Sequence, residues 1–513
     1  MAVDPNIQQK ADDIRMKIYG EQVRESLASG LEAMSEDVLE IDGRQTNLEG
    51  QFVDIQQQST EQDVDSSLEI QNARDGEPVL SDRLNRDHED VVSQLEQVRT
   101  EIIELEQEFN GFKNEQDEIV GYNRPLNDAI YSWWISPVAI SRKEYGNKTF
   151  VSYVDSDGSM GIASYDHDNR TRKRVKLATF EQDDHNAPSI NFMADGRVVV
   201  FYARHNADYG FRYRITEVSE DISTFGEEQF FESESQVTYV QAITQNDINI
   251  RVIWRTGLYK WGYALFKRQG DAKTGAGEGF NNPELIWLDA VDGQYYVQAV
   301  PYGDGSDRIR LFMYGHPIID PSKNEVRYGY ITGTGGITTI GGANLGSLDG
   351  TDMPRHPSDF HLAYKPIPGR KVRLLDVAHS NVPKFVISDF IGGSDSNYKE
   401  VFWNGSEFET SQITTSGKCV EVPVGNNYYF GGVNFNKSDD SEVYLSRENS
   451  GTWSISRWTK SGDNWSQQEV LDSDTRKLFR PYTTFNPVDG YRVFYMRGQY
   501  TTYKNYLTDI VSK

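Results

Sequence analysis

The chain has 513 residues, more than one hydrophobic core usually holds, so length alone indicates at least two domains. A formal net charge of -26 excludes a surface of clustered Lys and Arg, and with it nucleic acid as the partner. A single cysteine, Cys419, excludes an intrachain disulfide framework and most cysteine-based zinc sites.

Met1-Ala2-Val3-Asp4-Pro5 carries no basic stretch leading into an apolar run, and no apolar segment reaches the length of a membrane span. The expectation is a protein made in the cytoplasm and carried outside as part of a virion.

Through about residue 120 the chain is rich in Glu, Gln and Asp and nearly devoid of Tyr and Trp, so it cannot build an aromatic core. Stepping by three and four, Leu27, Leu31, Met34, Val38, Ile41, Gln45, Leu48, Phe52 and Ile55 form one helical seam. A second seam runs Leu84, His88, Val91, Leu95, Val98, Ile102, Leu105, Phe109 and Phe112. Seams this narrow need partner helices, and the large apolar residues favour more than two strands. The expected fold class is therefore an N-terminal α-helical coiled-coil stalk, trimeric, ahead of a β domain. His88 reads as a register-setting core residue or, at a trimer axis, as one of three imidazoles binding a metal or anion. Ala73-Arg74-Asp75-Gly76-Glu77-Pro78 breaks the periodicity, giving expected segments 1–60, 61–83, 84–124 and 125–513.

Ile14-Arg15, Tyr19-Gly20, Val23-Arg24-Glu25-Ser26-Leu27 and Asn72-Ala73-Arg74 followed by Leu84 resemble the stalk segments of tail fibre and baseplate proteins from phages of Gram-positive hosts. That resemblance implies a homotrimer attached to the tail or baseplate through its N-terminus, presenting a C-terminal domain to a host surface glycan.

After Tyr122-Asn123-Arg124-Pro125 the pattern changes to short strands, such as Thr149 to Val154 and Arg197 to Tyr202. Turn signals at Asp157-Gly158, Asp195-Gly196, Asp292-Gly293, Gly303-Asp304-Gly305 and Asp489-Gly490 punctuate them. About 380 residues of this pattern exceed one sandwich, and radial repetition accommodates the length best. Ser461-Gly462-Asp463-Asn464-Trp465 reads as a β-turn that packs Trp465 between blades.

Gln182-Asp183-Asp184-His185-Asn186-Ala187-Pro188, Ala194-Asp195-Gly196-Arg197 and Tyr202-Ala203-Arg204-His205 open a longer series of matches. It continues through Tyr239, Ile253-Trp254-Arg255, Tyr296, Met313-Tyr314-Gly315-His316-Pro317, Asp376, Tyr429-Phe430-Gly431-Gly432, Val443 to Arg447, Arg480-Pro481 and Gly498-Gln499-Tyr500. In this order the residues resemble the BNR-repeat-like propellers that include the ulvan lyases. The resemblance implies an all-β, seven-bladed propeller and a polysaccharide lyase site. Eliminating across a uronate needs a base, an acid and a cation around one sugar. By the resemblance, His185 and Tyr239 share the base and acid roles, His205 and Arg255 hold the carboxylate, and Tyr296, Asn186 and Arg204 contact substrate. Taken singly, each of these residues reads as structural, with Arg255 as a partner for Asp183 or Asp184. His316 matches a position that holds a structural metal in some members, but the cysteines expected nearby are missing. No cofactor is required. Three functions stay open: a virion-borne depolymerase, a receptor-binding propeller that grips without cutting, and a structural tail component.

Overall fold

Runs of consecutive apolar residues, rather than strict alternation, mark strands covered on both faces. Val198, Val199, Val200, Phe201 and Tyr202 are all fully buried. The outer strand Asn464–Asp474, by contrast, is mostly polar and exposed. Hydrophobicity thus falls from the inner strands outward, and a charged outer edge discourages pairing with other chains.

The structure, a computed structural model, describes Ser93, Tyr122 and residues 124–513 apart from 143–145, 245, 247, 271–276, 281, 318–319, 422–427 and 486. Among the described residues, seven antiparallel sheets follow one another along the chain, spanning 139–179, 189–232, 237–289, 296–364, 371–415, 433–474 and 477–512. Each begins with its innermost strand: Ala139–Arg142, Ser189–Phe192, Val237–Thr244, Tyr296–Pro301, Lys371–Val377, Val433–Asn436 and Lys477–Thr483. These first strands pack against one another from sheet to sheet, giving an all-β, propeller-like fold. The hairpin turns follow the expected chemistry. Gly158 has φ +85°, and a Cβ there would lie 2.3 Å from the Phe180 carbonyl oxygen, so only glycine fits. Trp465 is buried and donates to Glu400 of the neighbouring sheet at 3.3 Å.

Closure falls to residues 126–136. Leu126 exchanges two backbone hydrogen bonds with Ile510 of the last sheet, at 2.8 and 2.9 Å, and Ala129 donates to Thr508. Ile130 exchanges two more with Val154 of the first sheet, at 3.0 and 2.8 Å. The chain then crosses to the inner strands, where Ser136 accepts from Ser189 Oγ and Ala242 N. Tyr131 to Ser136 line a small central cavity together with Gln241, Gln298, Leu375 and Gly432.

The two-part fold class expected from the sequence is corrected. The elements among the described residues are strands and four 3-10 turns, with no α-helical element, so the structure supports the propeller-like part and no coiled-coil stalk. Heptad spacing is a conditional signal, because a narrow apolar seam stabilises a helix only when a partner covers it. Both seams, with Gln45 and His88, lie outside the described residues.

Two predictions follow from burial. Ile130 is fully buried at the closure, and Ile130→Ala should cost about 2–5 kcal/mol of stability in chemical denaturation; a change within error would remove this segment from the closure. Burial also lowers the proton affinity of His167, to about 4, and of His316, to about 3, from the ordinary value of 6.5. Such histidines take up their protons only on unfolding, so stability falls as pH drops from 6.5 towards about 4. Glu421, pushed up to about 6 by burial, opposes this over a narrower window. The melting temperature should therefore decline between about pH 7 and about pH 5; a flat or rising profile contradicts neutral buried histidines.

Candidate functional site

The turn Asp184–Asn186 leads into the innermost strand of the second sheet and is capped by Asp183, whose carboxylate accepts from His185 N. Adjacent aspartates then point to different partners. Asp184 is buried and pairs with Arg480 at 2.7 Å and with the Tyr500 hydroxyl at 2.9 Å. Its backbone N–H donates to Tyr503 O at 2.9 Å, so the last sheet fixes this turn through both side chain and main chain.

Asp183 faces the histidines. Its Oδ1 lies 2.5 Å from His185 Nδ1 and its Oδ2 lies 2.8 Å from His205 Nδ1. Burial would raise its proton affinity, but the hydrogen bonds with His185 and His205 hold the carboxyl well below the usual range. The two imidazoles stack with centroids 4.3 Å apart and planes at 29°. Burial, and then the neighbouring His185, lower the proton affinity of His205. Tyr503 closes the other side of the pair, 4.6 Å from His185 and 5.8 Å from His205. Lys504 reaches within 4.0 Å of Asp183 while remaining 56% exposed.

Tyr239 sits in the innermost strand of the third sheet, where pairing slips between Thr238 and Gln241. Its φ of +55° lies in the left-handed region, which costs a tyrosine roughly 1 kcal/mol or more and persists only when surroundings enforce it. The bulge brings the ring within 5.2 Å of His185 and 5.5 Å of Tyr296. Burial, then nearby Tyr296, raise the phenol well above its ordinary range despite Arg255. Tyr239 therefore keeps its proton at neutral pH.

Arg255 pairs across the bulge with Thr238 and is 3% exposed. Its guanidinium lies over three rings, those of Tyr239, Tyr259 and Tyr296, at 4.7, 5.0 and 5.5 Å. Its polar contacts are long, 3.4 Å to Tyr296 Oη and 3.3 Å to Asn206 Oδ1. Among the described residues no carboxylate pairs with it, and Nε has no hydrogen-bond partner. The alternative of Arg255 neutralising Asp183 or Asp184 is not seen; Asp184 pairs with Arg480.

The remaining expected residues divide. Tyr296 extends the aromatic cluster, stacking 5.5 Å from Tyr314 and lying 5.1 Å from Trp134. Asn186 is fully buried and accepts from His205 N at 2.8 Å, a fastening between the two histidine segments. Arg204 is paired with Glu181 at 2.6 Å on the surface. His316 is buried 5.7 Å from Tyr296. Among the described residues, the one group of three metal-ligating side chains in mutual reach is Asp183, His185 and His205, with ligand atoms within 4.8 Å, and His316 stands outside it. His88 lies outside the described residues.

Sequence reasoning gave Asp183 and Asp184 only as alternative partners for Arg255, and assigned no role to Tyr503, Lys504 or the pairing of Arg480 with Asp184 and Tyr500. The Asp-Asp-His-Asn run was a usable signal for Asp183, since aspartate is a favoured helix cap. Tyr503 and Lys504 form the tip of a hairpin more than 300 residues downstream, where only tertiary structure reveals their neighbours.

A model of BNR repeat-containing family members matches residues 148–416. The chain belongs to the BNR repeat-containing family. The family segment holds His185, His205, Tyr239, Arg255, Tyr296 and His316, whereas Arg480, Tyr503 and Lys504 come from beyond it. Among solved structures, the chain is similar to an ulvan lyase described as a new polysaccharide lyase family, at 16% identity and TM-score 0.57, covering 76% of this chain and 94% of that one. The same kind of enzyme bound to GlcA(1-4)Rha3S matches at 15% identity and TM-score 0.56, with the same coverage of 76% and 94%. At these identities the likeness shows the fold. No curated protein matches the chain.

The buried ion pair beneath the site gives a direct test. Arg480→Met leaves Asp184 buried without its cation and should cost about 3–5 kcal/mol in chemical denaturation. A loss under about 1 kcal/mol would show that the pair does not anchor the turn.

Proposed function

We propose that this protein binds an acidic polysaccharide across the His185–Tyr239–Arg255 cleft and cleaves it by β-elimination at a uronate. The observation that carries the proposal is the buried Arg255, unpaired by any described carboxylate, beside a protonated tyrosine and a histidine pair. An arginine left without an anion in a buried, aromatic-walled position suits an incoming carboxylate. The ulvan lyase of similar fold holds a glucuronate-containing unit, which supports a uronate as the ligand class.

In this reading Arg255 takes the sugar carboxylate and lowers the cost of negative charge growing on it. The imidazole of His185 removes the proton α to that carboxylate, and the released electron pair forms the new carbon–carbon double bond. The bond to the glycosidic oxygen at the β position breaks, and that oxygen takes the Tyr239 hydroxyl proton. The proton then returns from His185 to the tyrosinate, directly or through solvent, and both groups are reset. The raised proton affinity of Tyr239 supports its role as the acid. Tyr296 and Trp134 form a buried aromatic backing behind Tyr239 and Arg255.

Residues 14–27 and 72–84 resemble phage tail segments, which supports placing this activity on a virion that meets a host surface. Detection of the protein in purified particles tests that placement.

Incubation with uronate-containing polysaccharides should raise ultraviolet absorbance as the unsaturated uronate end forms. Tyr239→Phe and His185→Ala should each lower kcat by about 10²–10⁴ while glycan binding persists. Arg255→Lys should weaken binding of the acidic polymer more than that of its carboxyl-reduced form. Firm binding of a uronate polymer with no unsaturated product would replace cleavage by adhesion.

A further inference from the structure

We propose that Asp183 is the positioning residue of the site: it accepts the Nδ1–H of both His185 and His205 and thereby presents both Nε2 lone pairs to the cleft. An ionised carboxylate can only accept hydrogen bonds. Asp183 is fully buried, and each of its oxygens meets a different imidazole, at 2.5 and 2.8 Å. Whenever either ring is neutral, it must therefore carry its hydrogen on Nδ1. The rings stack with planes at 29°, each with its Nδ1 against the same carboxylate, so that carboxylate fixes the near edge of both.

The tautomer matters because a base must offer a lone pair. An imidazole with hydrogen on Nε2 would present a donor to the substrate carbon and could not take its proton. Most histidines choose between tautomers through one hydrogen bond each. Here one carboxylate imposes the same choice on two residues that belong to different loops. The capping bond from His185 N to Oδ1, at 3.0 Å, keeps Asp183 from rotating away.

The surroundings reinforce this arrangement. Asp184 Oδ1 lies 3.5 Å from His185 Nδ1, a second acceptor on the same edge. Lys504 approaches Asp183 from solvent, Arg255 opposes protonation of His205, and the rings of Tyr239 and Tyr503 cover the remaining faces.

The tautomer claim stands on the free protein, whereas its kinetic consequence rests on the lyase reading, and the two are tested separately. In the full-length protein labelled with nitrogen-15 in histidine, the imidazole resonances of His185 and His205 should show protonated Nδ1 and unprotonated Nε2 at neutral pH. Asp183→Asn, whose side-chain amide can donate, should shift at least one ring towards the Nε2–H form. Resonances showing Nε2–H in the unmodified protein overturn the proposal, and this measurement does not depend on the variant folding. With a cleaved uronate polymer as substrate, Asp183→Asn should lower kcat by about 10³–10⁴ with little change in KM, a wrong-tautomer effect of the size known for a catalytic histidine. Asp183→Glu should recover part of that loss. Correct tautomers with no cleavage would sink the lyase reading and leave the positioning role standing; cleavage with wrong tautomers would do the reverse.

Discussion

Arg480 is the residue through which closure of the ring and construction of the site become one problem. Its guanidinium donates to the Tyr131 carbonyl at 2.5 Å, in the segment that joins the last sheet to the first. The same group pairs with Asp184 and bonds the Tyr500 hydroxyl. Its own backbone is left-handed, at φ +52°, within an interruption of the innermost strand's pairing. A charge this deeply buried is tolerable only when all its partners are in place. The ring therefore cannot close correctly without also setting the turn that presents His185.

Two left-handed residues, Tyr239 and Arg480, thus sit at irregular points of innermost strands and both serve the same cleft. Bulges re-aim a side chain at the cost of ladder hydrogen bonds. The electrostatics are as local as the geometry. A chain with a net charge of -26 repels a polyanion at long range, so the proposed binding of a uronate polymer requires local positive charge such as that of Arg255 and Lys504 close to the histidines. Arg480 contributes little to that field because Asp184 neutralises it.

Much of the β domain was legible in the sequence, because long apolar runs and Asp-Gly turns are local signals. His185, His205, Tyr239, Arg255 and Tyr296 were legible only through their matched order, and the structure brings them together into one cluster. Asn186 and Arg204 come from the same motifs but face Glu181 and the backbone, a distinction of side-chain direction that spacing does not carry. The bulge at Tyr239 has no local marker, since neither neighbour is glycine or proline. The heptad seams misled about fold class for the opposite reason: a periodic signal was clear, but what stabilises it lies in partners the sequence does not name.

The segment that closes the ring is also the one through which the preceding chain is connected. Tyr122 accepts from Tyr491 Oη, and Leu126 and Ala129 then lie along the outer strand that ends the chain. A pull on the chain before Tyr122 is therefore borne first by a few lateral hydrogen bonds, and behind them by the buried side chains of residues 130–135. Trp134 in that stretch touches Tyr296 of the cleft. Ring closure and the aromatic cluster beside Tyr296 thus share one segment, so a disturbance of residues 126–130 lies only a few residues from Trp134.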